Sequence, residues 1–178
     1  PPAPRPGAVE IDKPMHDTRT LPLHDLEAIL QQVRATVRDV IAAEAPRVDA
    51  EARWPEAGIR ALQEAGLGGL VVPHEAGGLG QGLYGLIRVC EEIGRACAST
   101  ALCFGMHCVG TAVLAAKATP DQRRRYLEPI SAGAHLTTLA LSEPGTGAHF
   151  YFPQTRLEDG DDDTYRLSGT KSFVTNGG

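Results

Sequence analysis

Apolar residues recur at helical spacing through the first 130 residues, and after Gly133 the period changes to alternation. Leu26, Ile29, Leu30, Val33, Val37, Val40 and Ile41 form one apolar stripe, with Arg34, Arg38, Asp39 and Glu44 mainly between them. The spacing predicts a long helix over 23–53, kinked or interrupted at Pro46. A second helix opens at Pro55, runs through Ile59 and Leu62, and is capped by Gly66. A third covers 83–97, with Leu86, Val89, Cys90 and Ile93 inward and Glu91 and Glu92 outward. A fourth, over 99–118, is apolar on nearly every side, which predicts a buried central helix. A fifth runs from Pro120 to about residue 130 and carries Arg123, Arg124 and Arg125, read as a solvated face.

The change of period at Gly133 sets the predicted domain boundary. Residues 1–22, with six prolines, read as an extended arm; 23–133 as a helical domain; 134–178 as the start of a β domain. Within the last part, 136–142 and 169–178 read as two short strands, which would put Phe173 and Thr175 on one face. Between them, 154–158 and 164–168 flank Asp159-Gly160-Asp161-Asp162-Asp163, the pattern of a hairpin with an acidic turn. The fold class is therefore α+β. Half a β domain leaves an unpaired edge, so the segment is expected to belong to a longer protein.

Composition narrows the function classes. A net charge of −5 argues against a general nucleic-acid binder. No apolar run approaches the roughly 20 residues that cross a bilayer, and the proline-rich start does not resemble a signal peptide. The first residue is not Met, so the true start is expected to lie upstream or to have been processed away. Cys90, Cys97, Cys103 and Cys108 fall in one helical region at spacings that fit no zinc pattern. They read as small buried thiols in a reducing, cytoplasmic compartment.

The candidate chemistry sits in the last forty residues. Each predicted strand ends in hydroxyl residues beside unusual backbone: Leu141-Ser142-Glu143-Pro144-Gly145-Thr146-Gly147 and Gly169-Thr170-Lys171-Ser172-Phe173-Val174-Thr175-Asn176-Gly177. Pro144 ends the first strand, and Gly145 and Gly147 let backbone amides approach a ligand. An aromatic plate beside a hydroxyl forms a site for a flat, polar cofactor; two strands and a glycine turn of any β domain would look the same. The glycine-rich 68–80 lacks the Gly-Lys-Ser/Thr ending of a phosphate loop and reads as structural. His107, inside the apolar helix, is a packed histidine or, less simply, an acid–base group.

Taken in order, these two motifs with the acidic hairpin between them resemble the paired signatures of the acyl-CoA dehydrogenase flavoproteins, and the likeness runs from about Leu23 to the end. The 68–80 stretch also resembles the connection between N-terminal helices of that family. The resemblance implies a helical domain followed by the first part of a β-barrel-like middle domain, with the family's C-terminal four-helix bundle outside this segment. It implies FAD as cofactor, with Leu141 and Ser142 at the flavin pyrimidine edge, Thr175 near N5 and O4, and Phe173 where the family often has tryptophan. Gly147 and Ala148 fall in the same cofactor loop. Leu102, Phe104, Met106 and Ala148 are candidates for the acyl-substrate wall, with core packing the competing role for the three helix residues.

The implied reaction is α,β-dehydrogenation of an acyl thioester, on CoA or a carrier protein, to the trans-2-enoyl thioester, a step of fatty acid metabolism. Its carboxylate base is expected in the C-terminal bundle, its electrons pass to an electron-transfer flavoprotein or other acceptor, and the protein is expected to be a homo-oligomer, commonly a tetramer. One departure stands out: Ala148-His149 replaces the usual Ser-Asp after Gly147, and Phe150-Tyr151-Phe152 follows where many members are more polar. Two other readings compete: a flavin monooxygenase on the same fold, in which His107 could matter, and a non-catalytic partner subunit.

Overall fold

A computed structural model describes residues 23–149, 151–161 and 164–177. The predicted arm at 1–22 and Phe150 lie outside these residues.

The long first helix forms, but its irregularity is not at Pro46. α1 (Leu23–Thr36) passes through a π turn at Val37–Ile41 into α2 (Ala42–Ala50), and Pro46 lies inside α2. The widened turn is closed by Ala42 N–H donating to Val37 O, five residues back. α3 (Glu56–Glu64) starts after Pro55 and stops at Gly66, whose φ of 74° is the left-handed conformation a helix stop uses. α4 (Leu83–Gly94) and α5 (Ala98–Lys117) pack side by side. α6 (Pro120–Gln122), a π turn at Arg123–Leu127 and α7 (Glu128–Ser131) form one continuous rod. Thr119 starts it with a reciprocal cap: its hydroxyl accepts from Gln122 N–H at 3.3 Å and its N–H donates to Gln122 Oε1 at 2.9 Å.

One continuous core joins α1 to α5. Val33, Leu62, Leu67, Leu70, Val89, Ile93 and Cys108 are sealed within it. The loop at 68–80 is tied to itself by Leu79 N–H to Gly69 O, Gly80 N–H to Val72 O and Gln81 N–H to Leu70 O. A Cβ on Gly78 would stand 2.1 Å from Val72 O, so the glycine is demanded by closure of the loop and not by a phosphate.

Three expectations are corrected. Glu92 does not face solvent: it is mostly buried and bonded to Arg34 at 2.8 Å, across from α1. α5 is not buried on all sides: Cys103, Phe104, His107, Cys108 and Thr111 enter the core, while Leu102, Val109 and Val113 are exposed. That helix, with 20 residues and a mean hydropathy of 1.5, is also long and apolar enough to cross a membrane by length and composition. Arg123 is not simply solvated, since it donates to Ala118 O and Ala115 O and so caps the C-terminal end of α5.

The hairpin is present: β1 (Arg156–Asp159) pairs antiparallel with β2 (Tyr165–Ser168), Leu157 opposite Leu167. The other two predicted strands are not. Residues 136–142 join no ladder; Thr137 instead bonds through its N–H to His107 and through its C=O to Asn176. Residues 170–177 join no ladder either; they bend at Phe173 and turn at Thr175–Asn176. Phe173 (φ 54°) and Asn176 (φ 62°) are left-handed, which ends the period-two alternation that would have put Phe173 and Thr175 on one face.

Candidate functional site

His107 organises the floor of the region. Its imidazole is 1% exposed, and both ring nitrogens are engaged. Thr137 N–H donates to Nδ1 at 3.0 Å, so Nε2 carries the proton and donates to Gly68 O at 2.9 Å. The Thr137 hydroxyl donates to His107 O at 2.8 Å and meets the Thr111 hydroxyl at 3.0 Å. Burial among uncharged groups lowers the pKa of His107. It is a neutral structural group that ties the 136–142 segment to α5, and the catalytic part a monooxygenase reading would give it has no free nitrogen to act through.

The last turn docks on the same helix. Asn176 donates through Nδ2 to Cys103 O at 2.9 Å and to Thr137 O at 3.4 Å, and its Oδ1 accepts from the Trp54 indole N–H at 3.0 Å. The Asn-Gly pair at 176–177 favours this left-handed turn, closed by Gly177 N–H to Val174 O at 3.0 Å. The turn therefore lies against the part of α5 that carries Leu102, Phe104 and Met106. These three do not share a face: Leu102 is exposed, Met106 half-buried, and Phe104, at 2% exposure, turns into the core. Phe104 packs as core and lines no open wall.

The two motif segments meet through charge. Glu143, whose side chain is 2% exposed, accepts from Lys171 Nζ at 2.6 Å. It also accepts from the Thr155 hydroxyl at 2.5 Å, from Thr155 N–H at 3.1 Å and from Gln154 N–H. The Lys171 bond first, then those from Thr155 and Gln154, pull its pKa down to about 2. Beside the pair, Ser172 N–H donates to Ser142 O at 2.9 Å, and Lys171 Nζ reaches Leu141 O at 3.5 Å.

This clasp leaves the candidate contacts facing outward. Leu141, Ser142, Gly147 and Ala148 are exposed, Thr175 is half-buried, and Phe173 is 96% exposed. Among the described residues, the Ser142 and Thr175 hydroxyls and the N–H groups of Leu141 and Ser142 have no hydrogen-bond partner. Gly147 (φ 53°) has open space where a Cβ would stand. It lies with Ala148 in the turn that follows Pro144, away from the Ser142–Ser172 contact in sequence. Its neighbour His149 meets the Tyr151 hydroxyl through Nδ1 at 2.8 Å, at the edge of a shallow cavity of about 360 Å³ with Gly145, Thr146, Phe152 and Gln154.

Glu143, Lys171, Asn176 and Trp54 were not singled out by the sequence reading. The available signals were an acid and a lysine set within otherwise uncharged stretches, and the Asn-Gly turn.

Comparison with known proteins places this geometry. The family described as "Acyl-CoA dehydrogenase, N-terminal domain" matches residues 24–134. The short-chain specific acyl-CoA dehydrogenase of Sus scrofa mitochondria is 32% identical over 157 residues, covering 85% of this chain and 38% of that protein. Among solved structures, one described under the electron transferring flavoprotein of Acidaminococcus fermentans superposes with a TM-score of 0.79 at 27% identity, covering 91% of this chain and 42% of the other. The acyl-CoA dehydrogenase complexed with FAD from Bacillus anthracis gives a TM-score of 0.73 at 27% identity, over 85% of this chain and 26% of the other. The chain spans about two fifths of the length of the curated relatives it matches.

Proposed function

Because the chain belongs to the acyl-CoA dehydrogenase family, we propose that the protein it represents is an FAD-dependent oxidoreductase. Its proposed reaction is α,β-dehydrogenation of an acyl thioester. The carrying observation is the clasp of 141–143 to 171–172, which leaves the exposed Phe173 ring one residue from Ser172 and unpartnered donors at Leu141 and Ser142.

Those residues fit a flavin. The Phe173 ring is free to pack against a flat heterocycle. The N–H groups of Leu141 and Ser142 and the hydroxyls of Ser142 and Thr175 are donors suited to its polar edge. Bound there, FAD supplies the two-electron acceptor for the reaction. The chain's own groups hold the ring and set the polarity of its surroundings. Leu102 and Met106, on the side of α5 near the Asn176 turn, offer apolar surface to the acyl chain. The α proton is taken by a carboxylate that we place in a further helical region of the whole protein, and the electrons leave to an electron-transfer flavoprotein or a similar acceptor. A homo-oligomeric, cytoplasmic enzyme is the form we expect.

The test uses the full-length protein. Flavin released by heat should be FAD, and an acyl-CoA with a saturated α,β bond should reduce an artificial electron acceptor when the protein is added. Bound FAD without turnover of any thioester, but with substrate-dependent oxygen consumption by the reduced protein, would support the monooxygenase reading. A protein that binds no flavin would support the non-catalytic one.

A further inference from the structure

We propose that Glu143 and Lys171 are a positioning pair for the flavin site, which fixes the spacing of its two walls and so the affinity and reduction potential of the bound flavin. This assignment rests on the proposed cofactor reading and goes beyond the contacts named in it. Three stretches of chain converge on the Glu143 carboxylate: its own loop, Gln154–Thr155 at the base of the hairpin, and Lys171. Every partner of the carboxylate is a donor, and its charge is matched by one cation, so the carboxylate is neutralised within the pair.

Its influence is carried by neighbours. Ser142 is the residue before Glu143, Ser172 follows Lys171, and Ser172 N–H closes on Ser142 O at 2.9 Å. Phe173 comes next, so the ring and the Ser142 hydroxyl are each within two residues of the pair. Neither segment has a ladder to hold it: 136–142 and 170–177 contribute no strand. The ion pair and the backbone bond beside it hold this end of the two segments together, and Asn176 Nδ2 to Thr137 O at 3.4 Å joins them further along. An apolar contact could fill the same volume, but it would not select one spacing as directional, charge-assisted bonds do. Glu143 and Lys171 touch neither ring nor thioester, which makes them positioning residues and not catalytic ones.

The experiment compares full-length wild type with Lys171→Met, Lys171→Arg and Glu143→Gln. Lys171 keeps 28% of its side chain exposed, so Lys171→Met is the variant expected to fold even if Glu143→Gln does not. FAD affinity is measured by titrating apoprotein, the flavin midpoint potential by dye equilibration, and the fold by far-ultraviolet circular dichroism. Lys171→Met should weaken FAD binding by at least about tenfold and shift the potential, with helix content unchanged, while Lys171→Arg restores most of both. Affinity and potential unchanged in Lys171→Met, in a wild type that holds FAD, would overturn the pair's role alone. Loss of affinity with no shift in potential and no rescue by arginine would reduce it to a fold clasp. A wild type that binds no FAD would overturn the cofactor reading and this assignment together.

Discussion

Replacing His107 by leucine is the sharpest test of how the last forty residues are fastened to the helices. The imidazole accepts from Thr137 N–H and donates to Gly68 O in a setting that is 1% exposed. Leucine fills similar volume and leaves both groups unpartnered. Each buried unsatisfied polar group costs about 1–3 kcal/mol, so the two left by His107→Leu should cost about 2–6 kcal/mol. Asparagine can return one acceptor near the position of Nδ1, and His107→Asn should lose about half as much. The pH dependence gives a second signature. Burial lowers the pKa of His107 in the folded state, so between that lowered value and the ordinary 6.5 the unfolded chain binds the extra proton. Stability from this group is fully present above the ordinary value and is lost as pH falls below it, by at most about 1.4 kcal/mol per pH unit. Urea unfolding at pH 7.5 and 5.5, followed by circular dichroism, measures both effects. A His107→Leu protein within 0.5 kcal/mol or so of wild type, or one with the wild-type fall in stability between those pH values, would refute the structural role.

Other expectations follow from particular contacts. Gly110→Ala should destabilise despite the better helix former, because its Cβ would lie 2.7 Å from Thr138 O; overpacking of about 1–3 kcal/mol outweighs a propensity gain of about 1 kcal/mol, and a thermal melt reads the sign. Asn176→Ala should be less stable than Asn176→Gly by about 1 kcal/mol, since both lose the bonds to Cys103 O and Trp54 but only glycine relieves the left-handed φ; equal stability in denaturant titrations would contradict this. Burial pushes the Cys90 thiol up to about 11 and raises Cys108 further, so both should resist iodoacetamide at pH 8 until denaturant is added, as mass mapping of the labelled peptides would show.

Helix positions were readable because burial on one side leaves a period: Val33, Leu62, Val89 and Ile93 are core residues in the structure as in the pattern. The start of α3 beside Pro55, its stop at Gly66 and the β1–β2 hairpin were equally local, set by a ring, a glycine and an acidic turn. What failed depended on contacts distant in sequence. The π turn at Val37–Ile41 leaves no composition signal, whereas Pro46 does and is tolerated. The stretches at 136–142 and 170–177 look like strands by composition, yet they join no ladder, and Thr137 bonds to His107 and Asn176 instead. Phe104 has the right chemistry for a pocket wall, but its position on α5, two residues after exposed Leu102, turns it inward. The Glu143–Lys171 pair joins residues 28 apart, and no local pattern marks two charges as partners at that distance.

The central claim is that the exposed ring and donors beside the Glu143–Lys171 clasp hold a flavin that oxidises an acyl thioester. The most direct measurement mixes the full-length, FAD-loaded protein with a panel of acyl-CoA thioesters without oxygen and follows the flavin absorbance near 450 nm, a band characteristic of oxidised flavin. The account predicts that at least one saturated thioester bleaches that band and yields its 2-enoyl product. A flavin that stays oxidised against every member of the panel would contradict it.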